Sequence, residues 1–386
     1  MPRLRVAIVA DYPEEGWPSM DLMAELVPKY LARGHGDEVE ATRICPPYRR
    51  RLGRVPGRRL AGVARNADRV LNRFVDYPRH LRRLARRGPF DVYHIIDHSY
   101  AQLALAVPPG RAVVTCHDLD AFRCLIRPDL EPRPAWFRAL ARRALRGLQA
   151  AAAVPCVSEA TRSALLEHGL VPPGRLTVNY QGVAPEFSDA PDPEADAEVA
   201  RLIGPPGAPE LLHVGTTIPR KRIDVLLDVF AGIRRARPGA TLIKAGGRLT
   251  PEQADRARAL GVADAIREMP FFEGRRPLAA LYRRAALVLQ PSEAEGFGLP
   301  LAEAMACAAP LLVSDLPVLR EVAGDVATYS PVGDVAAWVN TALALLDGNT
   351  RRGAGPARSS LFRWEAHAGR LVDIYRAVAG RRGRRN

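Results

Sequence analysis

The 386-residue sequence lacks the segments that mark membrane-spanning and secreted proteins and the cysteine patterns of many metal sites. No stretch approaches the ~18 uncharged apolar residues that a transmembrane helix requires. A strand-like run, 4–10, comes at the start without a preceding charged leader or cleavage site. The five cysteines include no Cys-x-x-Cys pair, as expected of reduced, buried thiols. These absences predict a cytoplasmic protein without transmembrane segments.

Three common signatures of enzyme sites are also absent. The sequence contains no Gly-x-Ser-x-Gly of serine hydrolases and no Gly-x4-Gly-Lys-Ser/Thr of P-loop proteins. A dinucleotide-dependent dehydrogenase needs Gly-x-Gly-x-x-Gly after its first strand, whereas residues 11–19 contain a single glycine, Gly16. The sequence therefore argues against these three classes of site.

Lysine is scarce, because Lys29, Lys221 and Lys244 are the only lysines among 56 basic residues, and arginine supplies almost all of the net charge of +14. Fourteen arginines lie in the segment that begins at Arg49 and ends at Arg87. This density predicts an anionic partner. Anionic lipid headgroups explain the segment best, and an ordinary solvated surface is the alternative. Nucleic acid is not expected, since aromatic side chains that stack on bases are few there.

Short apolar runs alternate with helical stretches twice along the chain, which is typical of a parallel sheet covered by helices. Strands are predicted at 4–10, 92–96, 112–116, 153–157 and 176–180, and again at 210–214, 240–244, 286–290 and 310–314. A Pro- and Asp-rich stretch, 185–193, reads as the linker. We therefore expect an α/β protein with two doubly wound, Rossmann-like domains, 1–185 and 186–358. Segment 359–386 is expected to form a C-terminal helix that packs back on the first domain, followed by an Arg-rich tail.

A glycine-rich turn follows the predicted strand 286–290. Gly296 and Gly298, on either side of Phe297, allow the backbone to approach a ligand closely. The amides of Gly298 and Leu299 begin a predicted helix, whose dipole favours an anion. The turn therefore predicts a diphosphate site.

Two glutamates flank this turn. Glu303 lies in the first turn of the predicted helix, where its carboxylate can accept two hydrogen bonds from the vicinal hydroxyls of a ribose. Glu295 precedes the turn and is expected to hold hydroxyls of the group that the diphosphate carries, or to balance positive charge.

A second junction of strand, glycine and helix covers residues 213–221. Gly215 and Thr216 follow the predicted strand, and Arg220 and Lys221 begin the next helix, where they can neutralise phosphate charge. An Arg-Lys pair alone is more often solvated. In combination with the two glutamates it predicts a nucleoside-diphosphate site.

The pattern Glu295-x7-Glu303 around Gly-Phe-Gly resembles the signature of the retaining glycosyltransferases of family 4. That family has the GT-B architecture, in which two Rossmann-like domains face each other across a cleft. The resemblance covers nearly the whole chain. It includes three further segments: Thr115-Cys-His-Asp118, Val157-Ser-Glu159 and Gly182-Val.

The resemblance implies roles for individual residues. Glu303 would bind the ribose, Lys221 with Arg220 would meet the diphosphate, and His117 would contact the donor sugar from the opposite domain. No protein nucleophile is implied, because the leaving phosphate is thought to take the acceptor proton on the same face of the sugar.

A metal ion is not expected. Asp118-Leu-Asp120 spells the Asp-x-Asp by which sugar transferases of another fold hold a divalent cation. However, Asp118 already belongs to the His-Asp pair at a strand end, and Lys221 with the helix dipole can supply the positive charge.

The acceptor is predicted to bind the first domain. Asp97 and His98 follow the predicted strand 92–96 and are expected at its carboxyl end, where parallel sheets bind ligands. Gly16 stands where the family usually has paired glycines, and Gln181 replaces the usual asparagine before the glycine near the hinge.

The sequence thus predicts a retaining hexosyltransferase that moves a sugar from a nucleoside-diphosphate sugar to a hydroxyl of a glycan, glycolipid or small molecule. It needs no cofactor and lies in the cytoplasm, with peripheral attachment to the inner face of the membrane. Two alternatives are a nucleotide-sugar epimerase or hydrolase of the same fold and a non-catalytic sugar-nucleotide-binding subunit.

Overall fold

The structure is a computed structural model that describes residues 3–52, 58–205, 207–269, 272, 274–348 and 353–380, without the side chains of 58–61. The chain divides into two compact units. The first combines Met1–Tyr180 with Trp364–Asn386, and the second is Gln181–Arg363. Within the described residues, no helix combines the length and the apolar character needed to cross a bilayer.

Parallel strands form the centre of the first unit. They are β1 (Leu4–Val9), β2 (Val39–Ile44), β3 (Val92–Ile95), β4 (Ala112–Val114), β5 (Val154–Cys156) and β6 (Leu176–Val178). The described part contains a four-stranded sheet of order β2-β1-β3-β4 and the separate pair β5-β6. Isolated bridges, Val113 to Ala153 and Cys116 to Cys156, align β5 beside β4. The predicted strand 153–157 therefore continues the first sheet only through single bridges.

The helices of the first unit cover this sheet. They are α1 (Pro18–His35), α2 (Arg58–Leu71), α3 (Tyr77–Arg86), α4 (Arg123–Ile126), α5 (Ala135–Ala150) and α6 (Glu159–Glu167). Helix α1 buries Met23, Leu26, Val27 and Tyr30, which are spaced at three and four residues and so lie on one face. That face packs on β1 and β3 in one apolar core.

The second unit repeats the design with a wider sheet. Its strands are β7 (Glu210–Val214), β8 (Thr241–Ala245), β9 (Ile266–Met269), β10 (Leu287–Gln290), β11 (Leu311–Ser314) and β12 (Thr328–Ser330). Its helices are α7 (Pro193–Ile203), α8 (Ile223–Ala236), α9 (Pro251–Ala259), α10 (Arg276–Arg284), α11 (Leu299–Ala306), α12 (Pro317–Ala323), α13 (Val335–Leu346) and α14 (Ala354–Ser359). The described strands form a parallel sheet of order β12-β11-β10-β7-β8-β9.

The last helix, α15 (Trp364–Gly380), belongs to the first unit. Trp364 stacks on Tyr30 of α1 with ring centroids 5.9 Å apart, and the Tyr375 hydroxyl lies 2.7 Å from Nδ1 of the buried His94 on β3. The helix begins five residues later than the sequence predicts. Ser359 instead ends α14, where its hydroxyl donates to the Ala302 carbonyl of the second unit at 3.1 Å.

Candidate functional site

The glycine turn of the second unit connects β10 to α11. Gly298 has φ 87°, and a Cβ at this position would lie 2.8 Å from Cδ2 of Leu319. Glycine is therefore favoured here both by backbone conformation and by space. The first helical hydrogen bonds are donated by the amides of Leu301 and Ala302 to the Gly298 carbonyl. The predicted anion site is thus confined to the amides that precede them, those of Gly298 and Leu299, since Pro300 has none.

Glu295, just before this turn, accepts hydrogen bonds from several neighbours. Lys221 Nζ lies 2.6 Å from Oε1, and Gln290 Nε2 and Ser292 Oγ donate to the same oxygen at 2.7 and 2.8 Å. Arg220 Nη1 lies 3.3 Å from Oε2. Burial would raise the pKa of Glu295, but the charges of Lys221 and Arg220 outweigh burial and lower it to about 2.

The two cations come from a 3-10 turn, Pro219–Lys221, that follows β7. Helix α8 begins only at Ile223, because Arg222 adopts a left-handed conformation with φ 49°. Arg220 also donates from Nη1 to the Ala294 carbonyl at 3.0 Å, and its own carbonyl accepts from the Glu293 amide at 2.9 Å. The 3-10 turn and the glycine turn are therefore joined by both main-chain and side-chain bonds.

Glu303 projects from α11 into a buried environment and is only 7% exposed. The Tyr282 hydroxyl of α10 donates to Oε2 at 3.1 Å. Burial raises the pKa of Glu303 to about 8. Burial therefore favours the neutral form of Glu303, and its predicted contact with a ribose stays a prediction.

Gly215 and Thr216 follow β7 and lie beside the end of β8. The Gly215 amide donates to the Ala245 carbonyl at 3.0 Å, and the Gly215 carbonyl accepts from Lys244 Nζ at 2.5 Å. A Cβ on Gly246 would lie 2.9 Å from the Gly215 oxygen. The two loops therefore approach each other as closely as glycine allows.

In the first unit, His98 lies between two carboxylates. Its Nδ1 is 3.3 Å from Asp97 Oδ1, and its Nε2 is 3.2 Å from Asp118 Oδ1. Burial alone would lower the pKa of His98, but the two carboxylates outweigh burial and raise it. His117 lies 2.7 Å from the Ile96 carbonyl through Nε2, and burial lowers its pKa. The surroundings of these two neighbouring imidazoles therefore shift their pKa values in opposite directions.

The loop after β1 carries further buried groups that the sequence did not single out. Asp11 is 3% exposed, and burial, followed by the neighbouring Asp97, raises its pKa well above the usual range. Glu15 Oε2 lies 2.8 Å from Arg69 Nη2 and 3.5 Å from Arg73 Nη1. The predicted acceptor residue Gly16 follows a short 3-10 turn, Pro13–Glu15. It has φ 69° and is exposed.

The two carboxylates of the Asp-x-Asp tripeptide pair with different side chains. Asp118 faces His98, whereas Asp120 Oδ1 lies 3.8 Å from Arg123 Nη1. Among the residues that the structure describes, no three His, Cys, Asp or Glu side chains form a group that could hold a metal ion.

The described arginines of segment 49–87 include a paired set and an exposed set beside α3, and Arg49, Arg50 and Arg65 are also exposed. Some pair inside the first unit: Arg51 lies 2.8 Å from Asp76, and Arg69 and Arg73 contact Glu15. Others are exposed on or next to α3, namely Arg79, Arg82, Arg83, Arg86 and Arg87. Arg54 and the side chains of Arg58 and Arg59 lie outside the described residues.

Two family sequence profiles match consecutive parts of the chain. The profile described as Glycosyltransferase Family 4 matches residues 23–187, and the profile described as Glycosyl transferases group 1 matches residues 208–348. The chain belongs to glycosyltransferase family 4. The family predicted from the Glu295-x7-Glu303 pattern is therefore confirmed.

Curated relatives of this family 4 chain include the D-inositol 3-phosphate glycosyltransferase of Segniliparus rotundus. It is 33% identical over 226 residues, which are 53% of this chain and 50% of the relative. The phosphatidyl-myo-inositol mannosyltransferase of Mycobacterium leprae is 28% identical over 320 residues, which are 78% of this chain and 76% of the relative. The chain spans about half the length of the first of these relatives.

Solved structures show the fold of this family 4 chain. Sucrose-phosphate synthase from Thermosynechococcus elongatus superposes with a TM-score of 0.76 at 18% identity, covering 98% of this chain and 100% of that one. The Anabaena protein HepE in complex with UDP-glucose superposes with a TM-score of 0.67 at 16% identity, covering 99% and 100%. The fold is GT-B, built from two Rossmann-like units, as predicted.

Several residues of this candidate site were not predicted from the sequence. Tyr282, Gln290 and Ser292 contact the two glutamates, and Lys244 contacts the Gly215 carbonyl. Tyr282 lies on α10, Lys244 within β8, and Gln290 and Ser292 at or just after the end of β10, and none of them belongs to a motif of its own. The sequence signal that could have marked Lys244 is a lone lysine inside an otherwise uncharged strand.

Proposed function

We propose that the protein is a retaining glycosyltransferase that moves a hexose from a nucleoside-diphosphate sugar to a hydroxyl of a glycan, glycolipid or small molecule. One observation carries the proposal. Arg220 and Lys221 converge on Glu295 beside the glycine turn that begins α11, the helix that bears Glu303. Cations, main-chain amides and a diol-binding carboxylate are the groups that a nucleoside diphosphate requires.

The phosphate end of this site supplies the electrostatic part of the proposed reaction. As the glycosidic bond breaks, negative charge grows on the leaving diphosphate. Lys221, Arg220 and the amides of Gly298 and Leu299 would stabilise that charge, which is usually the largest catalytic contribution. Because Lys221 and Arg220 supply the positive charge, the proposed mechanism uses neither a metal ion nor another cofactor.

In this proposal Glu295 pairs with the two cations before the donor binds and contacts the transferred sugar afterwards. In the structure it pairs with Lys221 and Arg220, and Oε1 also accepts hydrogen bonds from Gln290 and Ser292. A diphosphate would compete with it for the two cations. We propose that Glu295 then turns toward hydroxyls of the transferred sugar, so that the donor reorganises the site as it binds.

The first unit is proposed to contribute the remaining groups. His117 would contact the donor sugar, and Asp97, His98 and Gly16 would contact the acceptor. The names of the relatives support inositol-containing acceptors, since one acts on D-inositol 3-phosphate and another on phosphatidyl-myo-inositol. HepE supports a nucleotide-linked hexose donor, because its structure contains UDP-glucose.

The experiment that tests the function also separates its alternatives. UDP-, GDP- and ADP-linked hexoses are incubated in excess EDTA, with and without D-inositol 3-phosphate or phosphatidylinositol, and followed by mass spectrometry and proton NMR of the anomeric centre. We expect a glycoside of unchanged anomeric configuration only when an acceptor is present. Free hexose, or an isomerised donor, formed without acceptor would establish a hydrolase or epimerase. Nucleotide binding without any turnover would establish a binding subunit, and a requirement for added Mg²⁺ would exclude the metal-free mechanism.

We further propose that the exposed arginines of α3 bind anionic lipid headgroups and hold the protein at the inner face of the cytoplasmic membrane. Arg82 and Arg86 are four residues apart on one helix and both are exposed. Attraction of this kind is screened over about 10 Å at 0.1 M salt, so vesicle binding should require acidic lipid and decline as salt is raised.

Charge reversal tests this surface directly. R82E/R86E should weaken sedimentation with phosphatidylglycerol vesicles, whereas R201E/R235E, an equal change at exposed positions of α7 and α8, should not. Equal binding to neutral vesicles, or tighter binding to RNA than to acidic vesicles at the same salt, would contradict the proposal.

A further inference from the structure

Lys244 is a buried cation beneath the loops that follow β7 and β8. Its side chain is fully buried, and its ammonium donates to three main-chain carbonyls: Gly215 at 2.5 Å, Ala245 at 3.2 Å and Gly247 at 3.2 Å. Burying a charge is costly unless it is paired or fully hydrogen-bonded. The three N–H groups of the ammonium match the three carbonyls, so hydrogen bonding accounts for a lysine at this strand position.

The three carbonyls belong to two different loops. The Gly215 carbonyl lies on the loop that leads to Arg220 and Lys221, and those of Ala245 and Gly247 lie at the end of β8. Gly246 already approaches the Gly215 oxygen so closely that a Cβ would lie 2.9 Å from it. Lys244 therefore connects the two loops by hydrogen bonds at the point where their backbones approach most closely.

We propose that Lys244 is a positioning residue for the diphosphate site: its ammonium fixes the Gly215 loop and adds positive charge beneath the phosphate-binding cations. The inference rests on the proposed glycosyltransferase function. It assigns Lys244 no contact with the substrate. Lys244 acts through the Gly215 loop and through its electrostatic coupling to Lys221.

The surroundings of Lys244 make this arrangement sensitive to pH. His213 on β7 and Glu268 on β9 are its neighbours in register on the two adjacent strands, and Lys221 approaches from the 3-10 turn. Burial lowers the pKa of His213 to about 3, so it is neutral. Burial, countered by Glu268 and reinforced by Lys221, lowers the pKa of Lys244 to about 8. A neutral amine has only two N–H groups, so one of the three carbonyls loses its donor as pH rises through this value.

The test combines a matched pair of variants with nucleotide binding. K244M keeps the length of the side chain and removes its charge, and K29M makes the same change at an exposed lysine of α1. Calorimetry with UDP, GDP and ADP is run from pH 6 to 10. The wild type and K29M should lose affinity above about pH 8, whereas K244M should bind about 10-fold to 100-fold more weakly at pH 7, the range for lost charge-assisted hydrogen bonds, and lack this alkaline decline.

A second measurement decides the matter if K244M does not fold. Because the chain has three lysines, selective ¹³Cε labelling gives three lysine signals, which K29M and a Lys221→Met variant assign by elimination. Titration of the wild type should show Lys244 with a lowered pKa that rises when nucleotide binds. A pKa for Lys244 that nucleotide leaves unchanged, or a folded K244M with wild-type affinity and pH profile, would overturn the inference. Failure of the wild type to bind any of the three nucleotides would overturn the proposed function instead.

Discussion

At the scale of single residues, a substitution can test whether Glu303 binds the ribose as an ionised carboxylate. Glu303→Gln keeps the shape and the hydrogen bond from Tyr282 and removes only the ability to ionise. If an ionised Glu303 binds the ribose diol, the variant should bind nucleoside diphosphates more weakly by about 1.5–3 kcal/mol, the usual value of a charged hydrogen bond. Calorimetry gives this difference, and unchanged affinity would show that an ionised Glu303 does not bind the ribose.

The same variant predicts a pH dependence of stability. The pKa of Glu303 is about 8 in the folded protein and 4.5 in an unconstrained chain. The folded state therefore binds this proton more tightly, and the stabilisation is complete below pH 4.5 and is lost as pH rises to about 8. Denaturant unfolding of E303Q and wild type should give a difference that shifts in favour of E303Q across this window. A difference independent of pH would show that Glu303 is ionised in the fold.

Lys221 is the residue on which the proposed chemistry depends most. Lys221→Ala should lower kcat by about 10²–10³, the scale seen when one preorganised electrostatic donor is lost, with a smaller change in donor affinity. The structure adds a complication, because the carboxylate of Glu295 would then lie in the phosphate site with Arg220 as its remaining cationic partner.

A double variant separates the two effects of removing Lys221. If repulsion by Glu295 causes the loss, Lys221→Ala/Glu295→Gln should recover most of it. If the ammonium itself stabilises the transition state, the double variant should stay slow. Near-normal kcat with only a raised KM in Lys221→Ala would show that Lys221 supplies uniform binding and no catalysis.

At the scale of an element, the junction between β10 and α11 depends on the backbone conformation of Gly298. An alanine there must adopt φ 87° and displace Leu319, whereas Gly261, with φ 69°, has no heavy atom within 4 Å of an added Cβ. Both substitutions should cost about 1–2 kcal/mol of stability from backbone strain. Only Gly298→Ala should also weaken nucleotide binding, since it moves the amides at the start of α11. Equal nucleotide affinities of the two variants would show that those amides do not bind phosphate.

At the scale of the whole molecule, the first unit depends on a helix supplied by the end of the chain. Trp364, Leu371 and Tyr375 of α15 are buried in its core, and each fully buried apolar side chain contributes about 1.5–3 kcal/mol. Their sum is comparable with the total stability of a typical domain, about 5–15 kcal/mol. Deletion of residues 364–386 should therefore unfold the first unit and leave the second folded.

Hydrogen exchange read by mass spectrometry distinguishes the two units after this deletion. Peptides from β1, β3 and β4 should lose protection, and those from β7, β8 and β10 should keep it. A deletion of residues 381–386 alone is the control, because it leaves α15 in place. Retained protection in β1 and β3 after the longer deletion would contradict the structural role assigned to α15.

The sequence determined the strands and motifs whose signal is local. Strands β1, β7 and β10 were predicted to within about two residues at each end, because strands buried on both faces of a parallel sheet read as largely apolar runs. Strands β2, β9 and β12 were not predicted, since they lie at or near sheet edges and carry half-exposed or exposed residues. The glycine turn and its glutamates were also found locally, because their spacing in the chain is fixed.

Only the tertiary structure decided which charges meet and which are neutral. Lys221 and Glu295 are 74 positions apart, yet their charged atoms lie 2.6 Å from each other because β7 and β10 are neighbours in the sheet. The raised pKa of Glu303 and the burial of Lys244 depend on the elements packed around them. A sequence states which residue types are available, whereas desolvation and pairing, which set their ionisation, exist only in the folded chain.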